Sequence, residues 1–173
     1  FDTNFSPVAL SITQFKAIVP AGFAPFNAQN INGSIFVTYA KQDSDAEDDV
    51  AGPGNGYVAQ FTQDGTLIRM LQHGNWMNSP WGVAQAPADF GELSGRLLIG
   101  MFGSGQIASF DPATGNFMGL MISHGNHPVE IDGLWGLRFG NGGAAGPTNT
   151  LFFTAGPKDE SEGLFGALTP KHA

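Results

Sequence analysis

The sequence contains no cysteine, which excludes disulfides and thiolate metal sites and leaves the compartment open, since exported bacterial proteins often lack cysteine as well. Basic residues are scarce: seven Lys and Arg stand against fifteen Asp and Glu, for a formal net charge of −8. That field repels phosphate backbones, so no nucleic acid partner is expected. No apolar run reaches the roughly 18 to 20 residues needed to cross a bilayer, and no charged-then-apolar signal segment opens the sequence, so no transmembrane segment is expected. The chain begins at Phe1, and the expectation is a processed or partial polypeptide. Gly-x-Ser-x-Gly and His-Glu-x-x-His are both missing, which leaves the common serine and zinc hydrolase arrangements without a foothold.

What is abundant is glycine, proline and phenylalanine, at 25, 11 and 15 residues of 173. With few charged residues, this composition suits many short strands joined by tight turns. The strands come in repeats. Phe26, Trp81 and Trp135 recur about 55 residues apart, a period that belongs to propellers and solenoids. Each is followed by a short β-rich run: Ser34 to Tyr39, Arg96 to Met101 and Thr150 to Ala155. A third run then opens on glycine, at Gly56, Gly105 and Gly163. In the first two repeats Asp64-Gly65 and Thr114-Gly115 make hairpin turns into a fourth run,.

The expected fold class is therefore all-β: a β-propeller of four-stranded antiparallel blades, about three of them in this chain. The expected boundaries are residues 1–23 for an outer strand and connection from a preceding blade, with the strand at Ser6 to Ile12. Blades follow at 24–78 and 79–132, then 133–173 as a blade lacking its outer strand. Three blades cannot close a ring, so a second half-propeller, from the remaining polypeptide or a second copy, is expected to complete about six.

Longer strings sharpen this reading. Ala24-Pro25-Phe26-Asn27, Asp48-Asp49-Val50-Ala51-Gly52, Pro80-Trp81-Gly82, Asp132-Gly133-Leu134-Trp135-Gly136-Leu137, Phe139-Gly140-Asn141-Gly142 and Phe153-Thr154-Ala155-Gly156-Pro157 resemble an uncharacterised exported β-propeller family whose bacterial members often carry a PEP-CTERM sorting tail. The resemblance covers nearly the whole chain. It implies a six-bladed NHL-like ring, of which this chain resembles the C-terminal half, and a secreted or extracytoplasmic location (periplasm or cell exterior). It implies no reaction, and the sequence through Ala173 contains no such sorting tail.

Loops between second and third strands, and between one blade and the next, should emerge on one face of such a fold. Two acidic loops fall there, Asp43 to Asp49 and Asp159 to Glu162. Asp45, Asp48 and Asp49, with Asp132, are the candidate ligands for a hard cation such as Ca²⁺, which takes six to eight oxygens. The spacing is not that of an EF-hand, because Asp48 stands where the turn glycine belongs. The competing reading is a solvated acidic loop.

His73-Gly74-Asn75 and His124-Gly125-Asn126 recur in the blade-to-blade loops, making His73 and His124 the candidate catalytic groups, joined by His127, Glu130 and Asp132. The alternative is that His-Gly-Asn simply turns the chain. Phe26, Trp81 and Trp135 either stack a ring-shaped ligand at the channel mouth or wedge adjacent blades together. Gly140 to Gly146 superficially resembles a phosphate loop, but no helix follows and no Lys-Ser/Thr closes it, so it is read as a strand connection. Asn4 and Asn32 lie in glycosylation sequons, and Asn32-Gly33 equally fits a type I′ turn.

Two functions remain in play. One is an extracytoplasmic binding or scaffold module for a protein or glycan ligand, without catalysis. The other is a Ca²⁺-dependent hydrolase or lyase with its site on the loop face.

Overall fold

A computed structural model describes residues 1–170; the final three residues of the unit expected at 133–173 lie outside the described residues. The fold is all-β. Eleven strands form three antiparallel sheets. The first sheet comprises β1 (Phe23–Ile31), β2 (Ser34–Lys41), β3 (Gly56–Phe61) and β4 (Leu67–Met70). The second comprises β5 (Pro80–Gln85), β6 (Leu97–Met101), β7 (Ile107–Phe110) and β8 (Phe117–Leu120). The third has β9 (Leu134–Phe139), β10 (Leu151–Ala155) and β11 (Leu164–Leu168). Within each sheet, order along the chain is order in space.

Local chemistry explains the hairpins. Asn32 and Gly33 adopt φ of 49° and 84° between β1 and β2, the pair of positive values a type I′ turn requires, which Asn and Gly tolerate best.

The sheets stack face to face. Phe36 and Val58 of the first sheet pack with Val83, Ile99, Met101 and Phe110 of the second. The opposite face of the second sheet contributes Ala84, Leu98 and Ile107, which meet Leu134, Leu137, Leu151 and Phe153 of the third. Period-2 alternation puts each of the middle sheet's faces into a different core. The first strands lie side by side: Asn27 Nδ2 donates to the Trp81 carbonyl at 2.9 Å. On the other flank of β5, a Cβ on Gly82 would sit 2.5 Å from the Trp135 carbonyl oxygen, so the absence of a side chain is what lets β5 approach β9.

One stretch departs from the sequence reading. Ser6 to Ile12, expected as an outer strand, forms no strand; Val8, Leu10 and Ile12 are exposed. An extended segment becomes a strand only when a neighbouring ladder takes up its N–H and C=O groups, and no such neighbour lies beside it among the described residues. The chain after it does pack: Phe15, Ala17 and Val19 cover the outer face of the first sheet against Val37, Tyr39 and Phe61, with Phe15 N–H bonded to the Gly65 carbonyl at 2.8 Å. A short 3₁₀ turn, Gly91–Leu93, lies between β5 and β6.

Candidate functional site

Each first strand carries a break in pairing register at its aromatic residue. The ladder jumps between Pro25 and Asn27 around Phe26, between Pro80 and Val83 around Trp81, and between Leu134 and Leu137 around Trp135. A bulge re-aims the side chain it carries, and here three such side chains gather with Phe102, which follows β6.

The four rings form a closed circuit. Phe26 meets Trp81 edge-on at 4.9 Å between centroids, and Trp81 meets Trp135 at 6.2 Å, inclined 38°. Trp135 meets Phe102 at 6.4 Å and 41°, and Phe102 returns to Phe26 at 6.1 Å. Trp135 is 41% exposed; the other three are half-buried. They floor a cleft of about 510 Å³.

Five carboxylate side chains rim that cleft: Glu47, Asp48 and Asp49 from the β2–β3 loop, and Asp159 and Glu160 from the β10–β11 loop. The two acidic loops expected to share a face therefore do share one. No Lys, Arg or His lines the cleft. The first loop is tied shut at its base, where Gln42 bridges Asp49, Val50 N–H reaches the Lys41 carbonyl at 2.8 Å and Asp43 N–H the Asp48 carbonyl at 2.9 Å. Asp43 Oδ1 accepts the Glu47 N–H at 3.0 Å, so Asp43 closes the turn instead of facing the cleft.

The second loop is strained. Lys158, Asp159 and Glu160 all have left-handed φ, at 57°, 52° and 60°, a run that L-residues adopt only when surroundings hold them there. Asp132 supplies part of that restraint: its Oδ2 accepts the Lys158 N–H at 2.9 Å. Glu160 N–H reaches the Gly156 carbonyl at 3.2 Å, and the Lys158 ammonium pairs with Glu162 at 2.6 Å.

The candidate metal ligands are thus divided. Asp48 and Asp49 stand on the cleft, Asp45 is exposed at the turn tip and does not line it, and Asp132 braces the opposite loop. Among the described residues no three His, Asp or Glu side chains converge as a metal-ligating group. Asp49 Oδ2 is closed off from solvent and has no hydrogen-bond partner.

The histidines do not join this site. His73 stacks on Tyr57 at 4.3 Å, with Nε2 placed 3.0 Å from the Gly54 carbonyl. His124 lines a separate cleft of about 370 Å³ with Phe90, Met121 and Leu168. Its turn closes through Ser123 N–H to the His127 carbonyl at 2.8 Å, with Asn126 at φ 60°, in keeping with the turn-forming reading of His-Gly-Asn. Glu130 accepts from Gln106 Nε2 at 2.9 Å. Sequence reasoning missed Phe102. The one signal was a large aromatic directly after the buried run of β6 and before Gly103.

No family model matches the chain. It is similar to uncharacterised proteins of Acanthamoeba polyphaga mimivirus, one 35% identical over 153 residues and another 32% identical over 158. Each match takes in 87% of this chain but only 36% and 39% of the relative; the chain spans well under half the length of the curated relatives it matches. Among solved structures it resembles a protein of unknown function from Bacteroides caccae, with a TM-score of 0.44 and 10% identity over 87% of this chain and 48% of that one.

Proposed function

We propose that the chain is part of a β-propeller that serves as an extracytoplasmic binding module, with the aromatic-floored cleft as its ligand site and no catalytic step of its own. The three sheets are its blades, and about three more, from a longer polypeptide or a second copy, complete the ring. Three features support the ring: the sheets repeat one strand order, their first strands stand side by side, and the relatives are more than twice as long. The extracytoplasmic placement rests on the resemblance to an exported family.

The observation that carries the binding reading is the circuit of four rings, brought to one cleft by three bulges and left with Trp135 open to solvent. The bulges bring these rings to the cleft lined by the β2–β3 and β10–β11 loops, where recognition residues concentrate. A Ca²⁺-dependent hydrolase or lyase needs several ligands within about 2.6 Å of one ion, whereas these carboxylates are distributed over two loops.

The test is binding of the full polypeptide to arrayed glycans and peptides, beside Trp135→Ala. The expected result is at least one bound class that the variant loses while its far-ultraviolet circular dichroism stays within error and its thermal midpoint falls by only about a few degrees. A variant with an unchanged array profile removes the cleft from the function.

A further inference from the structure

We infer that the ligand recognised at this cleft presents a guanidinium group, as an arginine side chain or a free guanidino compound; this rests on the binding reading above. The chemistry of the cleft has two parts that must be met together. Its floor is aromatic, and aromatic faces attract weakly hydrated cations through the ring quadrupole, Trp most strongly. Its rim is five carboxylates with no basic side chain among them, on a chain of net charge −8, so the local potential favours a cation and disfavours a phosphate or carboxylate ligand.

The arrangement separates the cations. A bare divalent ion needs carboxylates that converge, and none do so in threes among the described residues. A quaternary ammonium favours an enclosing aromatic cage, but these rings touch one another at centroid separations of 4.9 to 6.4 Å and leave no cage between them. It also carries no N–H to donate. A guanidinium is planar, stacks on aromatic faces, and offers five donors in a fork that matches carboxylates.

Within that rim, Oδ2 of Asp49 has no hydrogen-bond partner. A carboxylate oxygen shut away from water without a donor is costly. Asp49, with Glu47 and Asp48, is shared between the acidic rim and a smaller adjoining recess of about 100 Å³ that Phe26 and Lys41 also line.

The experiment is isothermal titration calorimetry on the full polypeptide, using agmatine and acetyl-arginine amide as guanidinium probes. Tetramethylammonium chloride, methyl glucoside and calcium chloride serve as contrasts. The expected result is salt-sensitive binding of a guanidinium probe, weakened about tenfold by Trp135→Ala and again by Asp49→Asn. A preference for acetyl-arginine amide then identifies a peptide source, and one for agmatine a free compound. Glu160→Gln, on an exposed side chain, repeats the rim test should Asp49→Asn fail to fold. Tetramethylammonium or calcium binding as tightly as either guanidinium probe overturns the inference. Trp135-dependent binding of methyl glucoside alone overturns it too while leaving the cleft a binding site. Heats that are identical in wild type and Trp135→Ala sink both readings.

Discussion

Strands β7 and β11 occupy the same place in consecutive sheets, third in strand order, yet their surroundings are opposite. Ile107 to Phe110 are buried throughout, whereas Leu164 and Phe165 are 46% and 69% exposed. β7 is paired on both sides and has side chains of both neighbouring sheets packed over it. β11 is paired with β10 alone, and the main company of Phe165 is a parallel stack on Phe152 at 5.7 Å. The difference teaches that alternation along a strand decides which face a side chain takes, and only the neighbouring layer decides whether that face is dry. The first sheet makes the same point, since its outer face would resemble that of the third without Phe15, Ala17 and Val19 across it.

The sharpest way to break the comparison is to truncate one phenylalanine from each strand. Phe110 is fully buried, so Phe110→Ala should cost about 3–5 kcal/mol through lost transfer energy and the cavity left behind. In the 173-residue chain as a monomer, Phe165→Ala should cost less than about 1 kcal/mol, as for an exposed position, whereas further blades beside β11 would raise that cost. Urea midpoints compared at fixed m-value measure both. A Phe165→Ala loss as large as that of Phe110→Ala would mean that something covers β11 in solution.

A second contrast concerns close approach. Gly82→Ala pushes a methyl toward the Trp135 carbonyl at 2.5 Å and Leu137 Cγ at 2.9 Å, where backbone must move and β5 must part from β9. Gly163→Ala, beside β11, meets nothing within 4 Å. The expected losses are about 1–3 kcal/mol for the first and within about 0.5 kcal/mol for the second, read as shifts in thermal midpoint. Gly82→Ala should also disturb the environment of Trp135, visible as a changed near-ultraviolet circular dichroism signal.

These contrasts show where the sequence was readable. The positions of the strands, the Asn32-Gly33 turn and the meeting of Asp48 and Asp49 with Asp159 followed from local chemistry repeated at a fixed period, because equivalent positions in a repeat project equivalently. The bulges at Phe26, Trp81 and Trp135 did not, since a bulge is a mismatch with a partner strand and has no signature in one strand alone. Phe102 was missed for the same reason: its role depends on rings distant in sequence. Ser6 to Ile12 carries the alternation of a strand without the ladder that would make it one. The His-Gly-Asn pair had identical local sequence, but Tyr57 and Gly54 stand beside only the first copy.

The smallest expected effect lies in the turns that lead to the fourth strands. Asp111 accepts the Thr114 N–H at 2.9 Å and the Ala113 N–H at 2.8 Å, and those backbone donors hold its carboxyl below the ordinary aspartate range. Asp64 is held low in the first sheet by the Thr62 hydroxyl and then the Thr66 N–H; the third sheet has no fourth strand among its described residues and so no such turn. A folded carboxyl lowered below its unfolded value stabilises the fold above the unfolded value, about 3.9, and that contribution disappears as pH falls through the folded one. Asp111→Asn keeps an acceptor but not the charge. Its urea midpoint should therefore lie slightly below wild type at about pH 6, with the gap closing toward about pH 2. Both groups are exposed, so the shift should be small and shrink further in high salt. A gap that is constant across that range would show that the Asp111 charge contributes nothing to the hairpin, and that hydrogen-bond geometry alone holds the turn.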